Sequence, residues 1–242
     1  MRFRDFYHRL VFIFSINWTK TLYFNFKKFP FAVAKKCPIY FYGRVKFKNI
    51  SGEIIINAPI QSGMIGFGQS YEIISSSKGT AELNLEGRII FNGHTQFGKD
   101  YFIYIAPKAS LQMGHMSSLG YSGKIICYEK IVMGDFARVG FESQLIDTNA
   151  HQMINTLTRE KYPMTVPIHI GNYNYISNRV TILSNTITPD YCTIASNSLC
   201  LKDYTTFGQN ILIGGVPAQL LRENISRDWS DEMAQLERWL KI

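Results

Sequence analysis

Buried positions are expected every six residues in the most regular part of the chain, between Ile170 and Asp203. Mostly aliphatic residues occupy these positions: Ile170, Ile176, Ile182, Thr188, Ile194 and Cys200. Small, polar or β-branched residues follow four positions after the first five: Asn174, Val180, Thr186, Cys192 and Ser198. This period indicates three short strands per coil of about eighteen residues, with each inward side chain stacked on its equivalent one coil away. A helix is excluded because Gly, Asn, Thr and Pro are too frequent. The pattern predicts an all-β fold, a parallel β-helix of triangular section.

The repeat continues upstream with looser spacing, which extends the predicted β-helix. An aliphatic or aromatic residue precedes glycine at Phe97-Gly98, Met113-Gly114, Leu119-Gly120, Met133-Gly134, Val139-Gly140 and Ile170-Gly171. Residues 54–105 indicate further coils with weaker periodicity. After Pro217 the composition favours a helix, with apolar residues at helical spacing: Leu220, Leu221, Ile225, Trp229, Met233, Leu236 and Leu240. We therefore predict an N-terminal segment over residues 1–50, a β-helix over residues 51–216 and a C-terminal α-helix over residues 217–242.

The six-residue count fails between Leu145 and Ile170, which are 25 positions apart. The polar stretch 148–167 is therefore predicted to leave the prism as a loop, and loops on rigid scaffolds often carry function. His151 lies near the start of this stretch, four residues after Asp147. A histidine can accept a proton from a nucleophile near neutral pH, and a nearby carboxylate can orient its ring. The alternative is a loop histidine that only satisfies backbone groups.

Composition limits the other possibilities. The chain has 242 residues, 46% of them apolar and 18% charged, enough for one large folded unit or two small ones. Its longest apolar run, Leu10–Ile16, is too short to span a bilayer and is not followed by a convincing cleavage site. Four cysteines without a pairing pattern suit a reducing compartment, so we expect a cytoplasmic protein. Three of them, Cys127, Cys192 and Cys200, fall on inward positions and are expected to be core residues.

Charge and aromatic residues are concentrated in residues 1–50, which hold eleven Lys or Arg against one acid and 15 of the 34 aromatic residues. The two kinds interleave: Arg2, Phe3, Arg4, Phe6, Tyr7, Arg9, Phe12, Phe14, Trp18, Lys20, Phe24, Lys27 and Lys28. Such a segment fits a helix that covers the core, or peripheral contact of residues 1–28 with an anionic membrane. Nucleic acid is disfavoured because the remaining residues carry a net charge of about −2.

Four stretches together resemble the left-handed β-helix acyltransferases, particularly the sugar and polysaccharide O-acetyltransferases of capsule gene clusters and the galactoside acetyltransferases. The stretches are DTNAH (Asp147–His151), PIHIGNYNYISNRVTIL (Pro167–Leu183), ITPDYCTIASNSLCLKDY (Ile187–Tyr204) and GGVPAQLLRE (Gly214–Glu223). Their order and spacing match the family, and the resemblance covers about residues 85–225. The family's tryptophan is replaced by Tyr175, three repeat glycines by Ser177, Ala195 and Asn197, and a second arginine by Gln219.

The resemblance implies a left-handed triangular prism, a homotrimer and direct acetyl transfer from acetyl-CoA to a sugar hydroxyl. His151 falls on the family's catalytic base, with Asp147 as the expected orienting group. Six residues fall on positions that line the CoA groove: Tyr175, Asn178, Ser196, Leu201, Lys202 and Arg222. The expected acceptor is a surface glycan, its lipid-linked precursor or a sugar nucleotide, and no metal is expected.

Three other functions remain open from the sequence. The acceptor could be a sugar amine, because a general base serves both nucleophiles. The replaced glycines are compatible with a non-catalytic β-helix scaffold. Some left-handed β-helices bind zinc through three histidines, but His8, His94, His115, His151 and His169 show no compact spacing of that kind.

Overall fold

The computed structural model describes residues 13–69 and 77–240, and most of them wind into a left-handed parallel β-helix with three sheets. The first sheet contains, in spatial order, β1 (Ile39–Phe41), β4 (Ile65–Phe67), β7 (Thr95–Phe97), β10 (Ser117–Leu119), β13 (Arg138–Val139), β16 (Tyr175–Ile176), β18 (Cys192–Ile194), β20 (Ile211–Gly215) and β21 (Ala218–Glu223). The second contains β2 (Arg44–Ile50), β5 (Thr80–Leu85), β8 (Phe102–Ile105), β11 (Lys124–Cys127), β14 (Gln144–Ile146), β17 (Thr181–Leu183) and β19 (Leu199–Cys200). The third contains β3 (Glu53–Ile56), β6 (Arg88–Phe91), β9 (Ser110–Met113), β12 (Lys130–Met133) and β15 (Ile168–Ile170).

The predicted inward ladder is confirmed. Ile176 pairs in parallel with Ile194, and Ile182 pairs with Cys200, each eighteen residues further along the chain. All six counted positions are at most 4% exposed, and the small residues that follow them are also buried. Because successive coils place similar residues above one another, the inward side chains form one continuous core along the prism axis.

Three corners join the sheets, and we number them by chain direction. The first corner leads from the first sheet to the second, the second corner from the second sheet to the third, and the third corner back to the first sheet. Coils approach closely at these corners. At the third corner, a Cβ on Gly171 would lie 2.5 Å from the carbonyl oxygen of Pro189 in the next coil, so glycine is required there.

The N-terminal segment covers one end of the prism and also contributes strands to it. Helix α1 (Trp18–Lys28) is followed by the short helix α2 (Phe31–Ala34). Phe24 of α1 is fully buried against Phe41, and the Asn25 side chain bonds both the amide and the carbonyl of Ile39. The predicted start of the β-helix at residue 51 is therefore wrong, because β1 and β2 already belong to its sheets. Residues 1–12 of the predicted segment lie outside the described residues.

The C-terminal segment is only partly helical, so the predicted helix over residues 217–242 is wrong in its first part. Residues 218–223 form β21, which pairs antiparallel with β20, while helix α3 (Trp229–Leu240) begins later. The last parallel strand, β20, would otherwise have an edge of unpaired backbone N–H and C=O groups. Residues 218–223 fold back along this edge and satisfy those groups, and this outweighs their local preference for a helix. None of the helices within residues 13–69 and 77–240 is long and apolar enough to cross a membrane.

Candidate functional site

The predicted loop leaves the prism at the second corner, between β14 and β15, and its two ends are zipped together by hydrogen bonds. Near the base, the amide of Val166 donates to the carbonyl of Asp147 (3.1 Å), and the amide of Asn149 donates to Met164 (2.9 Å). Further out, the amide of Tyr162 donates to Met153 (3.0 Å). The extrusion predicted from the broken period is confirmed, and the segment is a hydrogen-bonded hairpin.

His151 lies on this hairpin between two bonded levels, so its backbone is held while its side chain faces solvent. The preceding residue, Ala150, adopts a left-handed φ of 57°, and its amide donates to the hydroxyl of Thr148 (2.9 Å). The neighbouring Gln152 donates across the hairpin to the carbonyl of Tyr162 (2.7 Å). Within the described residues, the His151 imidazole makes no hydrogen bond or ion pair, which leaves both ring nitrogens available to a substrate.

Asp147 does not orient His151, and this part of the prediction is wrong. Its fully buried carboxylate accepts three backbone N–H groups, from Tyr128 (2.7 Å), Glu129 (2.9 Å) and Lys130 (2.8 Å). These amides form the second corner of the coil below, where they would otherwise be unsatisfied. Asp147 is therefore a positioning residue for the base of the hairpin. Its contacts join two coils at the point where the chain leaves the prism.

The second corner also carries Lys202, so the hairpin and this cation lie along one edge. The amide of Asn185, one coil above the hairpin, donates to the carbonyl of Val166 at its base (3.4 Å). Lys202 is on the next coil, where its carbonyl accepts from Ile187 (3.2 Å). Two coil steps separate Lys202 from the base of the hairpin by about 10 Å along the prism axis. Leu201, beside it, is exposed.

Lys202 and Arg222 share one face of the terminal β20–β21 hairpin. The Nζ of Lys202 donates to Oε1 of Gln219 on β21 (3.2 Å). A bulge in the register pairs Gln219 with Gly214 and Arg222 with Leu212, two positions apart on β20. Because directly opposed residues project to the same face and positions two apart do likewise, the Gln219 and Arg222 side chains both point outward. Lys202 at the second corner and Arg222 on the outer face of β21 are therefore two cations at the same end of the prism, suited to phosphate groups.

Asn178 and Ser196 lie at the first corner, on the other border of the second sheet. The side-chain oxygen of Asn178 accepts from the backbone amide of Phe141 (3.2 Å), and the backbone carbonyl of Asn178 accepts from the backbone amide of Asn197 (3.1 Å). Ser196 shares a hydrogen bond with Ser177 (2.7 Å), a residue that replaces a family glycine. The outer face of the second sheet is thus bordered by Asn178 and Ser196 on one side and by Lys202 on the other.

Tyr175 does not border that face within one chain. It lies on the first sheet, where the guanidinium of Arg227 covers its ring at 4.7 Å and also lies 5.2 Å from the ring of Trp229. Arg227 is paired with Glu232 of helix α3. Nothing near Tyr175 in the sequence indicates this contact, because Arg227 is about fifty residues away.

Glu129 is a further hairpin contact that no pattern in the sequence indicates. Its carboxylate accepts from the hydroxyl of Thr165 (2.6 Å) and ties the returning strand of the hairpin to the coil below. The two residues are 36 positions apart, and only the observed stacking of coils brings them together.

The cysteines are unsuited to catalysis, as their inward positions predicted. Cys127, Cys192 and Cys200 are fully buried, and burial raises the pKa of each thiol, that of Cys200 to about 12. Thiolates are the reactive form, so these side chains are inert at neutral pH. Across residues 13–69 and 77–240, no group of His, Cys, Asp and Glu is arranged to hold a metal ion.

Comparisons with known proteins show similarity in structure but not in sequence. No protein-family model matches the chain, and no curated protein matches it. Among solved structures, the polySia-specific acetyltransferase NeuO is 14% identical, with a TM-score of 0.50 over 81% of this chain and 80% of its own. The polysialic acid O-acetyltransferase OatWY is 17% identical, with a TM-score of 0.49 over 82% of this chain and 99% of its own. A mutant of the N-acyltransferase AntD from Bacillus cereus, in complex with dTDP and coenzyme A, is 11% identical, with a TM-score of 0.48 over 84% of this chain and 89% of its own. The similarity to NeuO supports the left-handed β-helix fold.

Proposed function

We propose that the chain is an acyl-CoA-dependent O-acyltransferase that transfers acetyl from acetyl-CoA to a sugar hydroxyl of a surface glycan or its precursor. The observation that carries the proposal is the second corner, where a solvent-facing histidine on a bonded hairpin lies two coils from a lysine held at the surface. A base and a phosphate-binding cation on one edge of a rigid prism suit a donor that combines a reactive thioester with phosphates.

The proposed reaction needs one proton acceptor and no covalent enzyme intermediate. The imidazole of His151 takes the hydroxyl proton as the acceptor oxygen bonds to the thioester carbonyl carbon. The tetrahedral adduct then collapses, the carbon–sulfur bond breaks, and the CoA sulfur leaves as a thiolate that takes the proton from the imidazolium. Positioning and base catalysis are the main contributions of the protein. Because the Asp147 carboxylate is already bound by backbone amides of the second corner, it does not orient His151 in the proposed reaction.

Lys202 and Arg222 are the proposed phosphate-binding residues, since both present cations from the same end of the prism. Leu201, Asn178 and Ser196 complete the proposed donor groove on the two borders of the second sheet. The hydroxyl pair at Ser177 and Ser196 occupies a corner where the family has glycine, so the donor would contact a slightly bulkier edge. This leaves backbone groups of the corner as the principal contacts.

We further propose that the protein works as a homotrimer. The predicted donor residues lie at two corners and, with Tyr175, on a third surface of the same prism. Two prisms packed side by side would bring the second corner of one chain against the first sheet of its neighbour. A shared site is therefore the arrangement in which Tyr175 can contribute to the same groove as Lys202.

The test is turnover by His151→Ala, measured as release of free thiol from acetyl-CoA with a panel of glycans and sugar nucleotides that includes polysialic acid. We expect a loss of at least about 100-fold in kcat with an unchanged melting temperature, because His151 supports no structural contact in the described residues. His94→Ala, at the third corner, is the matched control and should retain turnover. Near-normal turnover in His151→Ala would contradict the proposed mechanism.

A further inference from the structure

Helix α1 carries exposed apolar residues in addition to those that face the prism. Thr21, Phe24 and Asn25 face the prism and are fully buried. Trp18, Leu22 and Phe26 follow at intervals of four and form a second stripe, with exposed fractions of 39%, 44% and 49%. At 100° per residue this stripe spans about 80° of the helix surface. It flanks the buried side at Trp18, whose ring packs against Tyr40 at 5.7 Å, and Leu22 and Phe26 lie progressively further from the prism.

Residues before and after helix α1 in the sequence extend this stripe into a larger surface. Phe14 precedes the helix and is 82% exposed, and Phe31 of α2 is 70% exposed. The ring of Phe31 lies 6.1 Å from that of Phe26, so the two helices present one continuous patch. We call Phe14, Trp18, Leu22, Phe26 and Phe31 the N-terminal apolar surface. Isolated exposed apolar residues are ordinary, but a contiguous group of this size marks an interaction site.

The charged residues of α1, α2 and the turn after them are all lysines, and Glu53 and Glu86 are the nearby acids, lining the cavity that Lys27 borders. Lys27 lies on the same helix, while Lys35 and Lys36 follow α2 and are exposed. Residues 13–50 contain no Asp or Glu. Lys28, in contrast, points inward and donates to the carbonyls of Ile50 and Gly52, so it stabilises the fold rather than the surface.

This charge pattern discriminates between occupants. A second copy of the same surface would bring lysines against lysines, which is unfavourable for a two-fold pairing. An anionic lipid surface accepts both components, because aromatic rings prefer the headgroup boundary and lysine side chains reach lipid phosphates and carboxylates. We propose that the N-terminal apolar surface binds the chain peripherally to an anionic membrane.

The proposed orientation has a consequence for the candidate site. The N-terminal apolar surface lies at the end of the prism that begins with β1, and the hairpin bearing His151 leaves the coil four steps further along. Four coil steps correspond to about 20 Å along the prism axis. A prism that contacts lipid at this end would therefore hold His151 near the membrane without inserting it, within reach of an acceptor anchored there.

The experiment is vesicle flotation of the full-length protein with phosphatidylcholine vesicles containing about 30% phosphatidylserine, and with phosphatidylcholine alone. We expect co-flotation with the anionic vesicles only. The triple variant Leu22→Ser/Phe26→Ser/Phe31→Ser should bind at least about 10-fold more weakly, since three side chains lose apolar contact. Leu157→Ser removes a leucine that is 92% exposed elsewhere and should bind like the wild type.

Two further measurements keep the outcome decisive. The charge variant Lys35→Glu/Lys36→Glu should also bind at least about 10-fold more weakly to anionic vesicles, and it retains every apolar residue of the surface. Unchanged melting temperatures would show that both variants fold, as expected for exposed positions. Vesicle binding that survives in the triple variant overturns the proposal. A changed sedimentation coefficient with unchanged vesicle binding also overturns it, and assigns the surface to contact between protein chains.

Discussion

The buried carboxylate of Asp147 provides the sharpest test of how the candidate site is built. Asp147→Ala removes an acceptor of three backbone hydrogen bonds of 2.7–2.9 Å and leaves the amides of Tyr128, Glu129 and Lys130 without partners. Leaving one buried donor unsatisfied costs about 1–3 kcal/mol, so the three amides together cost at least about 3 kcal/mol. In a domain of this size, 1 kcal/mol corresponds to about 2–4 °C, so we expect the melting temperature to fall by at least about 6 °C.

Circular dichroism melts of the wild type and variants measure this shift directly. The melting temperature of Asp147→Asn should lie between those of the wild type and Asp147→Ala, because the amide oxygen can accept from one or two of the three donors but not from all of them. Asp203→Ala is the matched control, since this exposed aspartate accepts only from Thr205 and should change the melting temperature by at most about 2–4 °C. A wild-type melting temperature for Asp147→Ala, combined with lost turnover, would refute the structural role and restore a catalytic one.

Two other predictions concern the proposed donor groove and the core. Lys202→Ala and Arg222→Ala should each raise the KM for acetyl-CoA about 10-fold or more with little change in kcat, because phosphate contacts bind ground state and transition state alike. Steady-state kinetics measures both constants. Lys108→Ala, at the far end of the second corner, is the control and should leave both constants unchanged. Burial raises the pKa of Cys200 to about 12, so its contribution to stability is full below about pH 8.5 and is lost as pH rises toward 12. Between pH 8 and about 10.5, the melting temperature of Cys200→Ala should therefore fall less steeply with pH than that of the wild type. Equal slopes for the two proteins would contradict a raised pKa for Cys200.

The parts of the fold that follow from local spacing could be predicted from the sequence. The ladder from Ile170 to Cys200 is visible because each inward residue is six positions from the next, and the hairpin is visible because that count stops. The start of the β-helix was missed because aromatic residues near Phe41 and a register shift after Phe47 replace the regular repeat. The apolar residues around Leu220 fit a helix by spacing, but the open edge of β20 selects a strand.

The site was predicted less completely because its contacts join distant residues. Asp147 and His151 are close in sequence, which suggested a catalytic pair, yet the partners of the carboxylate are 17–19 positions away. Backbone amides at a corner have no sequence signature, so a structural carboxylate and an orienting one look alike. Gln219 was recognised only as a missing arginine, whereas the structure shows it holding Lys202.

The central claim is that this prism binds an acyl-CoA donor along the edge that carries His151 and Lys202. Isothermal titration of the purified protein with acetyl-CoA, with CoA and ATP as comparison ligands, tests it most directly. We expect saturable binding at about one site per chain for acetyl-CoA and CoA, weakened at least about 10-fold in Lys202→Ala. The absence of saturable binding at millimolar acetyl-CoA, and at millimolar concentrations of longer acyl-CoAs, would contradict it.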